Sequence, residues 1–154
     1  MDIEAFKAAL GRFGTGVAVI TTRDGEGAPA GFTASSFTSL SLSPPMVLFC
    51  LDKAAVSFEV FRAASGFVVN ILNHQQQDIS NRFASHGEDK FNGVKVRDGA
   101  EGLPLIEGCL ANLECRTTDK VAGGDHLIFI GEVRQVHLGE GTPLLYYMGK
   151  YHGI

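Results

Sequence analysis

The chain has 154 residues, of which 45% are hydrophobic and 19% charged, with a formal net charge of −4. This balance suits one folded domain with a real core and excludes a disordered chain. It also excludes nucleic acid as the main partner, because phosphate binding needs a basic surface.

No apolar run approaches the ~20 residues of a membrane helix. The start, Met1-Asp2-Ile3-Glu4, is acidic and lacks the basic and apolar regions of a secretion signal, so the expected compartment is the cytoplasm. Cys50, Cys109 and Cys115 are an odd set in a chain without an export signal, which predicts free thiols. Cys50 lies in an apolar run and reads as a small core residue. Cys109 and Cys115 lack zinc-type spacing and have no histidine nearby, so no metal site is expected.

In chain order, Ile3, Phe6, Leu10 and Phe13 recur at helical spacing and predict a helix over 2–13, capped by Asp2 and stopped by Gly14 and Gly16. Residues 17–22, rich in β-branched side chains, predict a strand. The turn Asp24-Gly25-Glu26-Gly27 follows, and a second strand starts near Pro29. The run from Gly31 to Pro45, dense in small residues and hydroxyls, then enters the apolar strand 46–51, which is expected to be buried. Small residues admit a ligand close to the backbone. Hydroxyls and free N–H groups can bind an anion or a heteroaromatic edge.

A short helix is expected around Val56–Phe61, with Ser57 entering early, then a strand over 66–72. A helix is expected over 75–85, with Ile79 and Phe83 on one face. Residues 86–102 read as a loop containing a short strand, anchored by Phe91, Val94 and Val96. Two long strands, 109–121 and 126–138, flank Ala122-Gly123-Gly124-Asp125, a hairpin signal. A last short strand covers 144–147. His74, His86 and His137 show no partner pattern and read as solvent-facing. Many strands, few helices and no βαβ rhythm predict a mainly β, antiparallel barrel with peripheral helices, in one domain over 1–154. Gly11, Gly14 and Gly16 follow a helix and form no G-x-G-x-x-G, which argues against a Rossmann domain.

The ordered set Thr33-Ala34-Ser35-Ser36-Phe37, Cys50-Leu51-Asp52-Lys53 with Ser57, and Gly124-Asp125-His126 resembles the flavin reductase-like family, from Phe6 to Tyr151. The resemblance implies a split β-barrel of the FMN-binding type. It also implies an NAD(P)H:flavin oxidoreductase, often the small component of a two-component aromatic monooxygenase. Within it, Thr33–Phe37 line the isoalloxazine ring. Ser35 stands where the family often has Asn, which moves that contact to backbone. Cys50, Leu51, Asp52, Lys53 and Ser57 receive the ribityl phosphate. Arg82 either reaches a flavin or dinucleotide phosphate or lies at the surface, and Phe83 beside it, also a candidate, reads by its helical face as core. Tyr147 and Tyr151 reach toward the rings. Gly124, Asp125 and His126 form the nicotinamide side, and His126 is the one candidate catalytic residue, as a contact rather than an essential acid. Asp125 either orients His126 or only closes the turn.

The implied cofactors are FMN or FAD with NADH. NADPH is disfavoured because no basic pair for a 2′-phosphate is visible. The implied partners are an oxygenase, reached through diffusing reduced flavin, and a second copy in a homodimer. The alternatives are a resident-FMN electron carrier of flavoredoxin type, and a split-barrel relative that handles another ligand.

Overall fold

In a computed structural model, which describes residues 1–87 and 89–154, the chain forms three helices and twelve strands among the described residues. In order these are α1 (Ile3–Gly11), β1 (Thr15–Gly16), β2 (Ala18–Arg23), β3 (Pro29–Ala34), β4 (Thr38–Leu42) and β5 (Pro45–Asp52). Then come α2 (Phe58–Ala63), β6 (Gly66–Ile71), α3 (Gln77–Ala84), β7 (Val96–Asp98) and β8 (Pro104–Ile106). The chain closes with β9 (Ala111–Gly123), β10 (His126–Leu138), β11 (Leu145–Tyr147) and β12 (Lys150–His152).

Seven strands form one antiparallel sheet in the order β3-β2-β6-β9-β10-β5-β4. Its two edge strands, β3 and β4, are consecutive in the chain and joined only by Ser35-Ser36-Phe37. Laid flat, seven strands put their edges about 29 Å apart at ~4.8 Å per step. The link from Ala34 to Thr38 spans at most about 14 Å. The sheet is therefore strongly curled, and its concave face encloses a core. Ile20, Ala34, Phe49, Phe61, Phe67 and Phe129 meet there, drawn from five strands and α2. Phe32 of β3 lies 5.6 Å from Phe49 of β5, ring centre to ring centre, across that interior.

Period-two alternation explains why β2 is buried on both faces. Ala18 and Ile20 point into the concave core, whereas Val17, just before the strand, and Val19 point outward into a second cluster with Leu72, Phe83, Ile106 and Leu144. Polar groups between the layers are paired. Asn70 Nδ2 donates to Val19 O and Thr21 Oγ1, and Asn70 Oδ1 accepts from Ile106 N and Asn112 Nδ2. This network fixes β8 against β2, β6 and β9.

Several expectations need correction. Asp2 caps α1, its carboxylate accepting from Glu4 N and Ala5 N, but the helix ends at Gly11, before the two glycines expected to stop it. Its apolar stripe does not pack inward: Ile3, Phe6, Leu10 and Phe13 are all more than half exposed. Spacing defines an apolar face but not what covers it. The segment 46–51 is not buried throughout. Val47, Phe49 and Leu51 are buried, while Met46, Leu48 and Cys50 on the other face are half-buried. The hydroxyl-rich run hides a strand, β4, and β8 and β12 were also unforeseen. His137 is not simply solvent-facing. Its Nε2 lies 2.6 Å from Oε2 of buried Glu114, whose Oε1 accepts from Ala100 N.

The three thiols are unpaired. Burial pushes Cys109 up to about 11. Burial, with the Glu114 carboxylate second, pushes Cys115 up to about 12. Both folded values lie above the ordinary 9.0. The folded state therefore holds these protons more tightly, and their contribution is complete below pH 9. It is lost as pH rises through the folded values, at up to about 1.4 kcal/mol per pH unit per thiol. Urea midpoints measured from pH 8 to 11 should fall from about pH 9, and the double variant Cys109→Ala/Cys115→Ala should flatten that slope.

Candidate active site

Two clusters, joined through Ser36, contain most of the expected residues. The first is a cavity of about 230 Å³ lined by Thr15, Gly16, Ala18, Ala34, Ser35 and Phe37. It lies where β1 and β2 meet the link that joins the sheet edges. Ala34 pairs with Ala18 across the ladder, so small side chains leave this space. The volume is below the ~300–1,000 Å³ of pockets that enclose a whole drug-sized ligand. It suits one flat end of a ligand, with the remainder lying along the surface.

Ser36 joins this cavity to the second cluster. Its Oγ accepts from Cys50 N at 3.0 Å and lies 3.1 Å from Cys50 O, to which it donates. The hydroxyl is thus used to continue the strand ladder. Two residues on, about 7 Å along an extended strand, Asp52 turns the chain by accepting from Ala54 N.

Lys53 reaches the β9–β10 hairpin. Its N–H donates to Asp125 O at 2.9 Å and its ammonium to Gly124 O at 3.0 Å. One of three ammonium protons is spent on the turn, leaving two for a ligand. The turn itself is two residues, Gly124-Asp125, with Gly124 at φ 59°, the positive φ that such hairpins require at their first central position.

Asp125 Oδ1 lies 2.8 Å from His126 Nδ1. Asp125 therefore orients the imidazole as well as closing the turn. Its carboxyl is held below the ordinary range by the hydrogen bond from His126, then by that ring's charge, with Lys53 a smaller cause. A lowered folded value means this contact persists above the ordinary carboxylate range and is lost only as pH falls through the lowered one. Nδ1 being committed, Nε2 is the nitrogen left for a ligand. Asp52 and His126 are cross-strand partners, so Lys53, Asp125 and His126 form one rim. Ser57 precedes α2 on the same side but makes no side-chain cap bond.

Other expected residues are placed elsewhere. Leu51 and Phe83 are buried in the two cores, and Phe83 meets Phe91 edge-on. Packing takes up both side chains, so neither side chain reaches the cavity. Arg82 donates to Asn92 O, away from it. Thr33 donates to Ser80 O at 2.7 Å and ties α3 to the seven-stranded sheet, and Tyr151 Oη, 2.7 Å from Ser80 Oγ, ties α3 to β12. Tyr147 is exposed beside Gly14, next to the cavity mouth. A larger groove, about 510 Å³, lies at the far end of β2. Its charged residues are already engaged, Arg23 with Asp98, Glu59 with Arg62, and Asp24 with the Glu26 and Ala28 amides.

One residue of the first cluster was missed. Thr15 Oγ1 is buried in the cavity wall and has no hydrogen-bond partner among the described residues. An unmet buried hydroxyl costs about 1–3 kcal/mol. The sequence signal was a lone polar residue between Gly14 and Gly16. A flat heteroaromatic ring fits this setting: small residues along its face, an unpaired hydroxyl at its edge and a cationic rim nearby.

Comparison with known proteins agrees. The flavin reductase like domain matches residues 10–154. The chain is 42% identical to HsaB, the reductase subunit of a flavin-dependent monooxygenase from Mycobacterium tuberculosis, over 100% of this chain and 83% of that protein. It is 41% identical to a flavin reductase from Pseudomonas putida, over 100% of this chain and 91% of that one. It also superposes with a TM-score of 0.93, at 39% identity, on the Streptomyces globisporus NADH:FAD oxidoreductase SgcE6, solved with NAD and FAD fragments. That alignment covers 98% of this chain and 92% of SgcE6. With a family match across nearly the whole length and relatives above 40% identity, this chain belongs to the flavin reductase like domain family.

Proposed function

We propose that this protein is an NADH-dependent flavin reductase that passes reduced FMN or FAD to a separate oxygenase. The observation that carries the reading is the cavity formed by Thr15, Ala34, Ser35 and Phe37 beside the Lys53–Asp125–His126 rim. Flavin, when bound, would supply the acceptor for a hydride from dihydronicotinamide, with the single accompanying proton taken from solvent, so the protein needs little acid–base machinery.

Each residue then has a task. Small side chains at Ala18 and Ala34 let a ring approach the backbone. Lys53 offers its two free N–H donors, and Ser57 its hydroxyl, to a phosphate. Asp125 holds His126 so that Nε2 faces the nicotinamide side, and Tyr147 covers the mouth. Arg82 and Tyr151 serve through the α3 contacts.

The curled sheet with its edges tied by three residues favours a split barrel, with all 154 residues in one domain. The exposed stripe of α1 favours a homodimer that covers it, each site using both chains. Three unpaired thiols favour a reducing compartment, the cytoplasm; among the described residues no helix is long and apolar enough to cross a membrane.

Flavin as a shuttled substrate requires release to keep pace with turnover. At ~1 μM affinity and association of ~10⁶–10⁷ M⁻¹s⁻¹, release runs at roughly 1–10 per second. That matches a median turnover of ~10 per second. At ~1 nM, release falls about a thousandfold and would limit the cycle.

The test is steady-state oxidation of NADH and NADPH with FMN, FAD and riboflavin, with flavin affinity measured alongside. The expected result is NADH oxidation dependent on added flavin, with micromolar affinity. Failure to oxidise either nucleotide with any flavin overturns the reading. A yellow protein that keeps its flavin through gel filtration points instead to a resident-FMN carrier.

A further inference from the structure

We infer that the Thr15 hydroxyl is a flavin-binding group, reserved for the polar edge of the isoalloxazine ring. The inference rests on the flavin reading above and adds to it a residue that composition and motif did not single out.

Other hydroxyls between the layers have found partners within the chain. Thr21 Oγ1 donates to Pro104 O at 2.6 Å and Thr22 Oγ1 to Gly66 O at 2.8 Å. Ser80 pairs with Tyr151, and Thr33 with Ser80 O. Among the described residues Thr15 Oγ1 is the one buried side-chain oxygen or nitrogen left without a partner. Native interiors pair such groups, and an exception calls for an explanation. Thr15 itself lines the cavity that also contains Ala34, Ser35 and Phe37, and because its Oγ1 is sealed from solvent, a turn about χ1 is what presents the hydroxyl to a ligand there.

The surrounding backbone favours a ligand over a missing protein contact. Thr15 lies on a two-residue strand, paired with Tyr146. A side chain at Gly16 would meet nothing within 4 Å, and one at Gly14 only the Tyr147 ring at 3.8 Å. Alternation turns Gly14 and Gly16 to the other face of this extended segment, so the side of the chain that carries the Thr15 side chain is the cavity side. The hydroxyl can donate to a ring carbonyl or nitrogen, or accept from a ring N–H. In the ligand-free protein it is desolvated without compensation. Binding supplies the partner, so the group weakens the free protein and strengthens the complex.

That opposition is measurable. Thr15→Val keeps shape and β-propensity but removes the hydroxyl, while Thr15→Ser keeps it. Flavin affinity is read by fluorescence quenching with FMN and with riboflavin, and the ligand-free melting temperature by calorimetry. For Thr15→Val, both dissociation constants should rise about 3- to 10-fold, because FMN and riboflavin share the ring. The ligand-free melting temperature should rise on the order of 2–4 °C. Thr15→Ser should bind within about twofold of wild type.

Unchanged flavin affinity in Thr15→Val would show that water alone serves the hydroxyl, and would overturn the inference. A lowered ligand-free melting temperature in that variant would overturn it too, by showing a partner within the chain. Loss of FMN affinity with riboflavin unchanged would place the effect at the phosphate and refute a ring contact. If wild-type protein binds neither flavin, the reductase reading itself falls and takes this inference with it.

Discussion

His126→Ala is expected to lower kcat/KM for NADH about 10- to 100-fold, the loss of a hydrogen bond to a charged or polarised group, while the dissociation constant for flavin stays within a factor of about two. The split follows from placement. His126 stands on the hairpin rim, its Nδ1 held by Asp125 and its Nε2 free, whereas the flavin cavity is walled by β1, β2 and the Ser35–Phe37 link. Asp125→Asn keeps a hydrogen-bonding group but removes the carboxylate that orients the ring. Its loss should be smaller, with the same sign and the same nucleotide selectivity. Steady-state kinetics at fixed flavin, paired with flavin titration, separates the two constants. Equal losses for NADH and flavin would show that the rim and the cavity are one site.

The largest stability effect is expected at Phe49. Its ring is fully buried and stacks on Phe129 at 4.9 Å. It also meets Phe67 edge-on at 4.8 Å and Phe61 at 5.9 Å. Phe49→Ala should cost about 3–5 kcal/mol, transfer and cavity terms together, because aromatic rings on four other elements cannot all collapse into one void. That is a large share of the ~5–15 kcal/mol by which a domain is stable. Denaturant unfolding should show a lower midpoint with an unchanged slope. Phe49 directly precedes Cys50–Lys53, so the variant should also lose flavin affinity in excess of its unfolded fraction.

The long β9–β10 hairpin was legible because two β-rich runs flank a glycine turn, which is local information. The same holds for the Asp2 cap and for the β-branched run of β2. Strand β4 was not legible, because Thr38-Ser39-Leu40-Ser41-Leu42 is rich in hydroxyls and lies at a sheet edge, where burial imposes little pattern. The run from Gly31 to Pro45 was singled out as ligand-friendly, and its parts have separate uses in the fold. Ser36 completes a ladder, Thr33 holds α3, and Ala34, Ser35 and Phe37 face the cavity.

Lys53 and His126 show where local reading stops. The family resemblance marked both as candidates, but only the hairpin register brings Asp52 opposite His126 and lets Lys53 bond the turn. Arg82 was as open to a surface role as to a phosphate, and the fold directs it to Asn92 O, while Phe83 packs in the second core as its helical face implied.

By itself the sequence determined a mainly β antiparallel protein, its hairpin, its unpaired thiols and the family to which it belongs. These follow from composition, period and ordered motifs, each readable within a few neighbouring residues. Only the tertiary structure decided which candidates meet. It curled a seven-stranded sheet until a three-residue link could join its edges, and it left the Thr15 hydroxyl unpaired in the cavity beside that link. The reason is geometric: hydrogen-bond satisfaction and cavity shape depend on residues far apart in the chain, and no local pattern records whether a buried group has found its partner.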